Sequence, residues 1–208
     1  MSRYKITIQY DGNSFSGFQS QKNKSGIQDQ IESSIAKLNN NKLVKVYGAS
    51  RTDAGVHALG QVAHFDIVSQ LSDHDFLRAI NARLSKEIRI TKLVKVDDCF
   101  HSRFDAKSKK YEYFCCTEEN PLFLKNHHFI KNIDFNLIKK ASKLIEGEHD
   151  FLSFSKFSGK LNLNKFNPDV LGSVRSAKYV ELLLFVKEIK PKTEIISESG
   201  EICGTIIE

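Results

Sequence analysis

The order of the hydrophobic patterns in the first half of the chain restricts its fold more than any other feature of the sequence. Apolar and polar residues alternate in some segments, as in "YKITIQY" at residues 4–10, and apolar residues recur at helical spacing in others. The predicted strands are residues 4–10, 42–48, 61–67 and 87–96, and the predicted helices are residues 26–38, capped by Ser25, and a segment capped by Ser72. The predicted order is therefore strand, helix, strand, strand, helix, strand.

This order is typical of a ferredoxin-like unit, in which one antiparallel sheet carries two helices on the same face. The pattern begins again with a strand at residues 109–117 and a helix from Asp134 to about Glu146, in which Leu144 faces inward. One long or two short strands follow within residues 173–190. The remaining C-terminal segment is too short for another helix and strand, so the second unit is expected to stop about halfway.

We therefore predict an α+β fold made of two ferredoxin-like β-α-β-β-α-β units. The first unit covers residues 1–100 and carries the loop described below, and the second, incomplete unit covers residues 101–208. The sheet face without helices is a common platform for RNA, although a fold alone does not determine function.

Composition and charge narrow the classes of protein to which the chain can belong. A formal net charge of +6 and a pI near 9.0 suit a polyanionic partner such as RNA. The four cysteines form no C-x-x-C pair, which argues against a disulfide framework and a zinc site. The N-terminus lacks the apolar segment of a signal peptide, and the run "VELLLFV" at residues 180–186 is too short to span a bilayer. We expect a cytoplasmic protein without membrane contact.

The stretch "GASRTDAGVHALGQVAHFD", from Gly48 to Asp66, has the densest set of chemically capable side chains in the sequence. Arg51 and Asp53 lie two residues apart in a predicted loop, where their side chains can point the same way. An arginine beside a carboxylate keeps that carboxylate charged and oriented for nucleophilic or electrostatic catalysis. The pattern also fits an Arg–Asp pair that only braces a turn, and the spacing does not separate the two hypotheses.

His57 and His64 in the same stretch raise the question of a metal site. No H-x-x-x-H pair or neighbouring cysteine supplies further ligands, so no metal is expected. His64 lies opposite the apolar face of the predicted strand at residues 61–67, which predicts an ordinary half-exposed histidine.

A basic segment leads into the second predicted unit. Arg103, Lys107, Lys109 and Lys110 precede or flank Tyr111. Cations interleaved with aromatic rings suit a nucleic-acid groove, because the cations bind phosphates and the rings stack on bases. A solvated strand end with half-buried tyrosines explains the same residues, and both interpretations stay open at this point.

The stretch from Gly48 to Asp66 closely resembles the signature of the tRNA pseudouridine synthase A (TruA) family, whose core is R-T-D-A-G-V-H-A. Further resemblances follow in the family's order: "YDGNSFSGFQSQ" at 10–21, "SGIQDQIESSI" at 25–35, "FHSRFDAKSKKYEYF" at 100–114 and "EGEHDFLSFSK" at 146–156. The resemblance is strong over roughly residues 1–156 and weaker to about residue 180.

The resemblance implies an isomerase that converts uridines in the anticodon stem-loop of tRNA to pseudouridine, without cofactor or metal. It implies the pseudouridine synthase fold of two ferredoxin-like units and a homodimer that builds the tRNA clefts. Asp53 matches the catalytic aspartate, Arg51 the arginine that pairs with it, and Tyr111 the tyrosine that stacks on the target base. We assign phosphate contacts to Arg103, Lys109 and Lys110. Whether Asp53 attacks the ribose C1′ or assists glycosidic cleavage stays open.

The C-terminal part departs from the family pattern. The family continues with an N/D-R/A-F-L-x-x-M-V-R-like segment that supplies another active-site arginine, and nothing here matches it. The alternative hypothesis is therefore a truncated or diverged relative that lacks activity but still binds RNA. A third hypothesis is an unrelated α/β interaction domain.

Overall fold

The structure is a computed structural model, which describes residues 1–22, 25–107, 109–112, 114–116, 128–131, 134–145, 180–181 and 205–207. The elements of the first half follow the predicted order: β1 Ser2–Tyr10, α1 Ile27–Ala36, β2 Tyr47–Gly48, β3 His57–Ile67, α2 Asp73–Asn81 and β4 Ile88–Val96. None of the helices in this described part of the chain has the length and apolar character of a membrane span.

Strand β1 lies at the centre of an antiparallel sheet, between β3 and β4, and β2 pairs with the other side of β3. Ile6 is opposite Ala63 on one neighbour and Leu93 on the other. The alternate residues Tyr4 and Ile8 are also buried, because successive side chains of a strand point to opposite faces. The sheet therefore has one buried, mainly apolar face.

Both helices pack on this apolar face and form one core with it. Ile31 and Ile35 of α1 and Phe76 of α2 are at most 1% exposed. The ring of Tyr4 is stacked near Phe65 at 5.8 Å and meets Phe76 edge-on at 5.4 Å between centroids. Each large apolar side chain buried in this way contributes about 1.5–3 kcal/mol, so the sheet and helices hold each other in place.

Of the two predicted N-terminal caps of α1 and α2, one is confirmed and the other is wrong. Ser72 caps α2 as predicted, because its Oγ accepts a hydrogen bond from the Asp75 N–H at 3.1 Å. The prediction that Ser25 caps α1 is wrong, since Gly26 occupies the cap position. Gly26 has no side-chain acceptor, and the Asp29 carboxylate instead accepts from the Gly26 N–H at 2.9 Å.

The second predicted strand, residues 42–48, is reduced to Tyr47–Gly48. The Val46 N–H donates to Glu32 Oε1 at 2.9 Å, and the Val46 carbonyl accepts from Gln28 Nε2 at 3.1 Å. Two side chains of α1 thus satisfy backbone groups that a neighbouring strand would otherwise pair. This explains why the polar residues Gln28 and Glu32 are buried on a helix face that meets the core.

The later described elements are β5 Lys109–Glu112, β6 Cys115–Cys116, β7 His128–Phe129, α3 Phe135–Ile145, β8 Val180–Glu181 and β9 Thr205–Ile207. The predicted strand at residues 109–117 is divided between β5 and β6. The C-terminal segment supplies β9, which lies between β3 and β5: His57 is opposite Ile207, and Tyr111 is opposite Ile206. This strand places the start of β3 and Tyr111 in one continuous sheet.

Asp134 caps α3 as predicted, since its Oδ1 accepts from the Asn136 and Leu137 N–H groups at 2.9 and 3.0 Å. Leu144 is 78% exposed, so the prediction that it faces inward is wrong. The predicted strands of residues 173–190 lie outside the described residues except for β8. The division of the chain at residue 100 stays a prediction.

Candidate active site

Residues 49–56 form the loop between β2 and β3, which we call the RTD loop after Arg51, Thr52 and Asp53. Thr52 is buried, and Arg51 and Asp53 on either side of it are exposed. An inward Thr52 directs its two neighbours outward, since successive side chains of an extended segment point in opposite directions. The loop therefore presents one cation and one carboxylate to solvent from a fixed base.

A buried hydrogen bond anchors the base of the RTD loop to the sheet. The Tyr10 hydroxyl lies 2.9 Å from Thr52 Oγ1, and the Thr52 carbonyl accepts from the Phe18 N–H at 3.1 Å. Burial raises the pKa of Tyr10 from its ordinary value of 10.0 to about 12, which outweighs the opposing effect of the Thr52 hydroxyl. The phenol is therefore neutral below pH 10. Sequence reasoning missed both Tyr10 and Thr52.

Tyr10→Phe is expected to be less stable than the wild type, with a difference that shrinks in alkali. The contribution of Tyr10 to the free energy of unfolding is fully present below pH 10. It is lost as pH rises from 10 towards 12, because the phenol then ionises in the unfolded state while it is still neutral in the folded state. The stability advantage of the wild type should decline by about 1 kcal/mol between pH 9 and pH 11. Urea unfolding of both proteins at these two pH values measures the change, and a difference independent of pH would contradict it.

Two glycines with positive φ shape the surroundings of the RTD loop. Gly17 has φ +96°, and a Cβ there would lie 2.5 Å from the Thr52 carbonyl oxygen. Gly55, inside the loop, has φ +84°, and a Cβ there would meet no atom within 4 Å. The segment before α1 thus lies directly against the loop, and only glycine permits this approach without strain. Sequence reasoning assigned no role to Gly17.

An open cleft of about 880 Å³ lies beside the RTD loop and collects three of the predicted site residues. Arg51, Arg103 and Lys109 line it together with Lys45, and its described lining contains no aspartate or glutamate. Such a concentration of positive charge favours an anionic ligand with several phosphates. Asp53 is two residues from Arg51 on the same loop but is not part of this lining. The side chain of Lys110 lies outside the described side chains.

The predicted pairing of Arg51 with Asp53 is not formed in the structure. Among the described residues, the ion pairs within 4.0 Å do not include these two groups, and both are exposed. A water-exposed pair of this kind is weak by itself, so its formation depends on what covers it. The role of Arg51 toward Asp53 stays a prediction.

Tyr111 on β5 is half buried and packs against the hydrophobic core. The Lys109 ammonium lies 4.5 Å from the centre of its ring. Lys109 therefore connects Tyr111 with the basic cleft, because its ammonium contacts the Tyr111 ring and the residue also lines the cleft. Stacking of Tyr111 on a target base stays a prediction.

The two histidines of the stretch, His57 and His64, each accept a hydrogen bond from the backbone of another segment. His57 begins β3, where its Nδ1 accepts from the Gly12 N–H at 3.2 Å and lies 3.2 Å from Asp11 Oδ1. The prediction that His64 is half exposed is wrong, since only 2% of it is accessible. The Ser102 N–H donates to His64 Nδ1 at 3.2 Å, so the segment after β4 covers the face that was expected to meet solvent.

Burial lowers the pKa of His64, and the neighbouring His101 and Arg3 lower it further, which keeps the imidazole neutral. A neutral ring can accept the hydrogen bond from Ser102. In the described part of the chain, no three His, Cys, Asp or Glu side chains are grouped so that they could hold a metal ion.

Comparison with known proteins gives a consistent set of relatives. Residues 6–105 match a family described as tRNA pseudouridine synthase. A protein of Phytoplasma mali (strain AT) named tRNA pseudouridine synthase A is 38% identical over 196 residues, covering 93% of this chain and 74% of that protein. Proteins of the same name from Oceanobacillus iheyensis and Geobacillus sp. (strain WCH70) are 34% and 41% identical.

The shares covered differ between these relatives. The matches to the Oceanobacillus and Geobacillus proteins cover 79% and 73% of this chain, which spans 66% and 62% of their lengths. The match to the Phytoplasma protein covers 93% of the chain and so continues past residue 180, further than the short motifs alone indicate.

Proposed function

Because the chain belongs to the tRNA pseudouridine synthase A family, we propose that it isomerises uridine to pseudouridine in the anticodon stem-loop of tRNA. The observation that carries this function is the RTD loop, which presents Arg51 and Asp53 beside a cleft lined by basic side chains. A carboxylate supplies the chemistry, and the neighbouring cations supply the affinity for a polyanion.

The reaction begins when the target uridine leaves the base stack, because its glycosidic bond is inaccessible inside a stem. Extrusion costs a few kcal/mol of stacking and pairing, which contacts between the protein and the RNA backbone must offset. Arg103, Lys109 and Lys110 contribute phosphate contacts, and two of these three line the cleft. Affinity for tRNA should therefore decrease steeply with salt.

Asp53 then acts at the ribose, either by attacking C1′ or by assisting departure of the base. The bond between C1′ and N1 breaks, the uracil rotates, and a bond forms between C1′ and C5. The proton at C5 leaves and N1 gains a proton, so the product is an isomer of the substrate and the carboxylate is regenerated. No electrons are transferred to or from a third component, and the chemistry requires no cofactor or metal.

Arg51 and Tyr111 assist this step in different ways. When RNA covers the RTD loop and excludes water, Arg51 pairs with Asp53 and orients its carboxylate, since ion pairs strengthen as the local dielectric falls. Tyr111 holds the detached uracil by stacking. Its half-buried position against the core supports this role, because a ring fixed by packing loses little entropy on binding a base.

In this proposal the protein is a cytoplasmic homodimer. Each chain contains one ferredoxin-like unit over residues 1–100 and a second, incomplete unit over residues 101–208. The sheet order β4-β1-β3-β2 and the packing of α1 and α2 on one core support the first unit.

Position-specific chemical mapping of pseudouridine in tRNA transcripts incubated with the full chain tests the function. Modification is expected at uridines of the anticodon stem-loop and not in a matched transcript whose uridines there are replaced by cytidine. Salt-dependent binding without any pseudouridine would instead support the catalytically inactive RNA-binding alternative. Absence of both binding and product at low salt would contradict both hypotheses.

A further inference from the structure

The basic cleft has an exposed aromatic ring at its wall. Phe104 lines the cleft and is 78% exposed. Single exposed apolar residues are common on protein surfaces and require no explanation by themselves. Phe104 differs because of how rigidly its segment is held and because of the charges around it.

A buried polar network fixes the segment that carries Phe104. Ser102 is 2% exposed, its N–H donates to His64 Nδ1, and its hydroxyl donates to the Tyr47 carbonyl at 2.7 Å. On the other side of Phe104, the Asp105 carboxylate accepts from the His101 N–H at 2.7 Å. The turn is thus tied to strands β2 and β3 and closed on itself.

Aromatic rings lead from the core outwards to Phe104. The buried His64 ring stacks on Tyr47 at 5.1 Å and meets His101 at 4.7 Å between centroids. The His101 ring lies 4.3 Å from that of Phe104. Phe104 is therefore supported from below by His101 while its outer side is open, which is the arrangement of a stacking platform.

The charged side chains around Phe104 indicate what kind of molecule stacks on its ring. Arg103 precedes Phe104, and Arg51, Lys45 and Lys109 line the same cleft, whose described lining has no acidic side chain. A flat ring beside several cations matches an unpaired base with its phosphates, because the base stacks while the cations bind the backbone. An apolar segment of a protein would leave these cations without partners.

We infer that Phe104, supported by His101, stacks on an unpaired base of the bound tRNA. This inference rests on the proposed function and extends it, since it adds a base contact outside the catalytic set of Asp53, Arg51 and Tyr111. The contact helps to hold the loop open while the target nucleotide is extruded.

A fluorescent reporter tests the stacking directly, because the wild-type sequence contains no tryptophan. In Phe104→Trp, the indole is expected to emit as a solvent-exposed group in the free protein and to be quenched when tRNA binds. The matched control is Val68→Trp, at a position that is 72% exposed and outside the cleft lining. Its emission should not change with tRNA.

Two outcomes would overturn the inference. Emission typical of a buried indole in free Phe104→Trp would show that another part of the chain or a second copy covers the platform. Unchanged emission on saturation with tRNA, with binding followed independently by RNA anisotropy, would show that no base stacks there. If such a protein still forms pseudouridine at the wild-type rate, the inference fails while the proposed function stands.

Removal of the Phe104 ring tests how much the stacking contact contributes to the affinity for tRNA. Phe104→Ala is expected to bind tRNA about 5- to 150-fold more weakly, the range for loss of one base-stacking contact, with an unchanged melting temperature. Phe104→Leu keeps an apolar side chain without a π face and should bind nearly as weakly, whereas Phe104→Tyr should restore affinity. Val68→Ala, which removes an exposed apolar side chain elsewhere, should bind like the wild type. Equal affinity of the alanine, leucine and wild-type proteins would contradict stacking.

Discussion

Asp53→Asn is expected to abolish pseudouridine formation while the fold and the affinity for tRNA stay close to those of the wild type. The side chain is exposed on the RTD loop, so an isosteric amide removes the negative charge without disturbing the core. An amide can neither attack C1′ nor stabilise positive charge that develops there. Loss of a nucleophile in other enzymes lowers the rate by roughly four orders of magnitude or more, and a comparable loss is expected here.

Single-turnover rates with excess enzyme measure this effect independently of substrate binding and product release. Asp98→Asn is the matched control, because it removes the charge of another exposed aspartate, in the turn after β4. It should react at the wild-type rate. A rate for Asp53→Asn within a few fold of the wild type would remove Asp53 from the mechanism.

Gly17→Ala is expected to destabilise the protein by about 2–4 kcal/mol and to displace the RTD loop. Its φ of +96° is strained for any residue with a Cβ, and that Cβ would lie 2.5 Å from the Thr52 carbonyl oxygen. To avoid the clash, Thr52 must move away from Phe18, whose N–H donates to the same carbonyl. The displacement reaches Asp53 directly, so the isomerisation rate should fall together with stability.

Gly55→Ala separates the two causes of that effect. Gly55 also has a positive φ of +84°, but a Cβ there would meet no atom within 4 Å. Backbone strain alone should destabilise this variant by about 1–2 kcal/mol. Urea unfolding of both variants gives the difference between them, which measures the contact with Thr52. Equal losses of stability would mean that the segment before α1 does not support the RTD loop.

The sequence predicted the parts of the structure that follow from local periodicity. The alternation around Ile6 and the helical spacing of Ile27, Ile31 and Ile35 are direct consequences of one apolar core, and the structure confirms these elements. Arg51 and Asp53 stood out as a cation and a carboxylate two residues apart in a predicted loop, a pattern that also fits a structural pair, and it was the longer signature around them that indicated the family.

The missed features depend on contacts between residues far apart in the chain. His64 is buried because Ser102, from a segment beyond β4, covers the polar face of β3, and no pattern within β3 reports this. The predicted strand at residues 42–48 is reduced to Tyr47–Gly48 for a similar reason, since Gln28 and Glu32 on α1 pair with the backbone of Val46. Periodicity describes one element at a time, whereas these outcomes depend on which element lies opposite.

The supports of the candidate site were hidden for the same reason. Tyr10 reads as the last residue of a strand, and only the folded chain shows its hydroxyl at Thr52. The basic cleft likewise forms only when residues around 51, 103 and 109 are brought together. The net charge of the sequence indicated a polyanionic partner. Only the folded structure shows that several of the basic side chains lie together in one cleft.

Tritium release from tRNA that contains 5-tritiated uridine reports the isomerisation itself, because C5 must lose its hydrogen when it bonds to C1′. The full wild-type chain should release tritium to water in proportion to the anticodon stem-loop uridines converted, and Asp53→Asn should release none above background. Release of no tritium by the folded, tRNA-bound wild type would contradict the proposed function, and release by Asp53→Asn at the wild-type rate would contradict the role of Asp53.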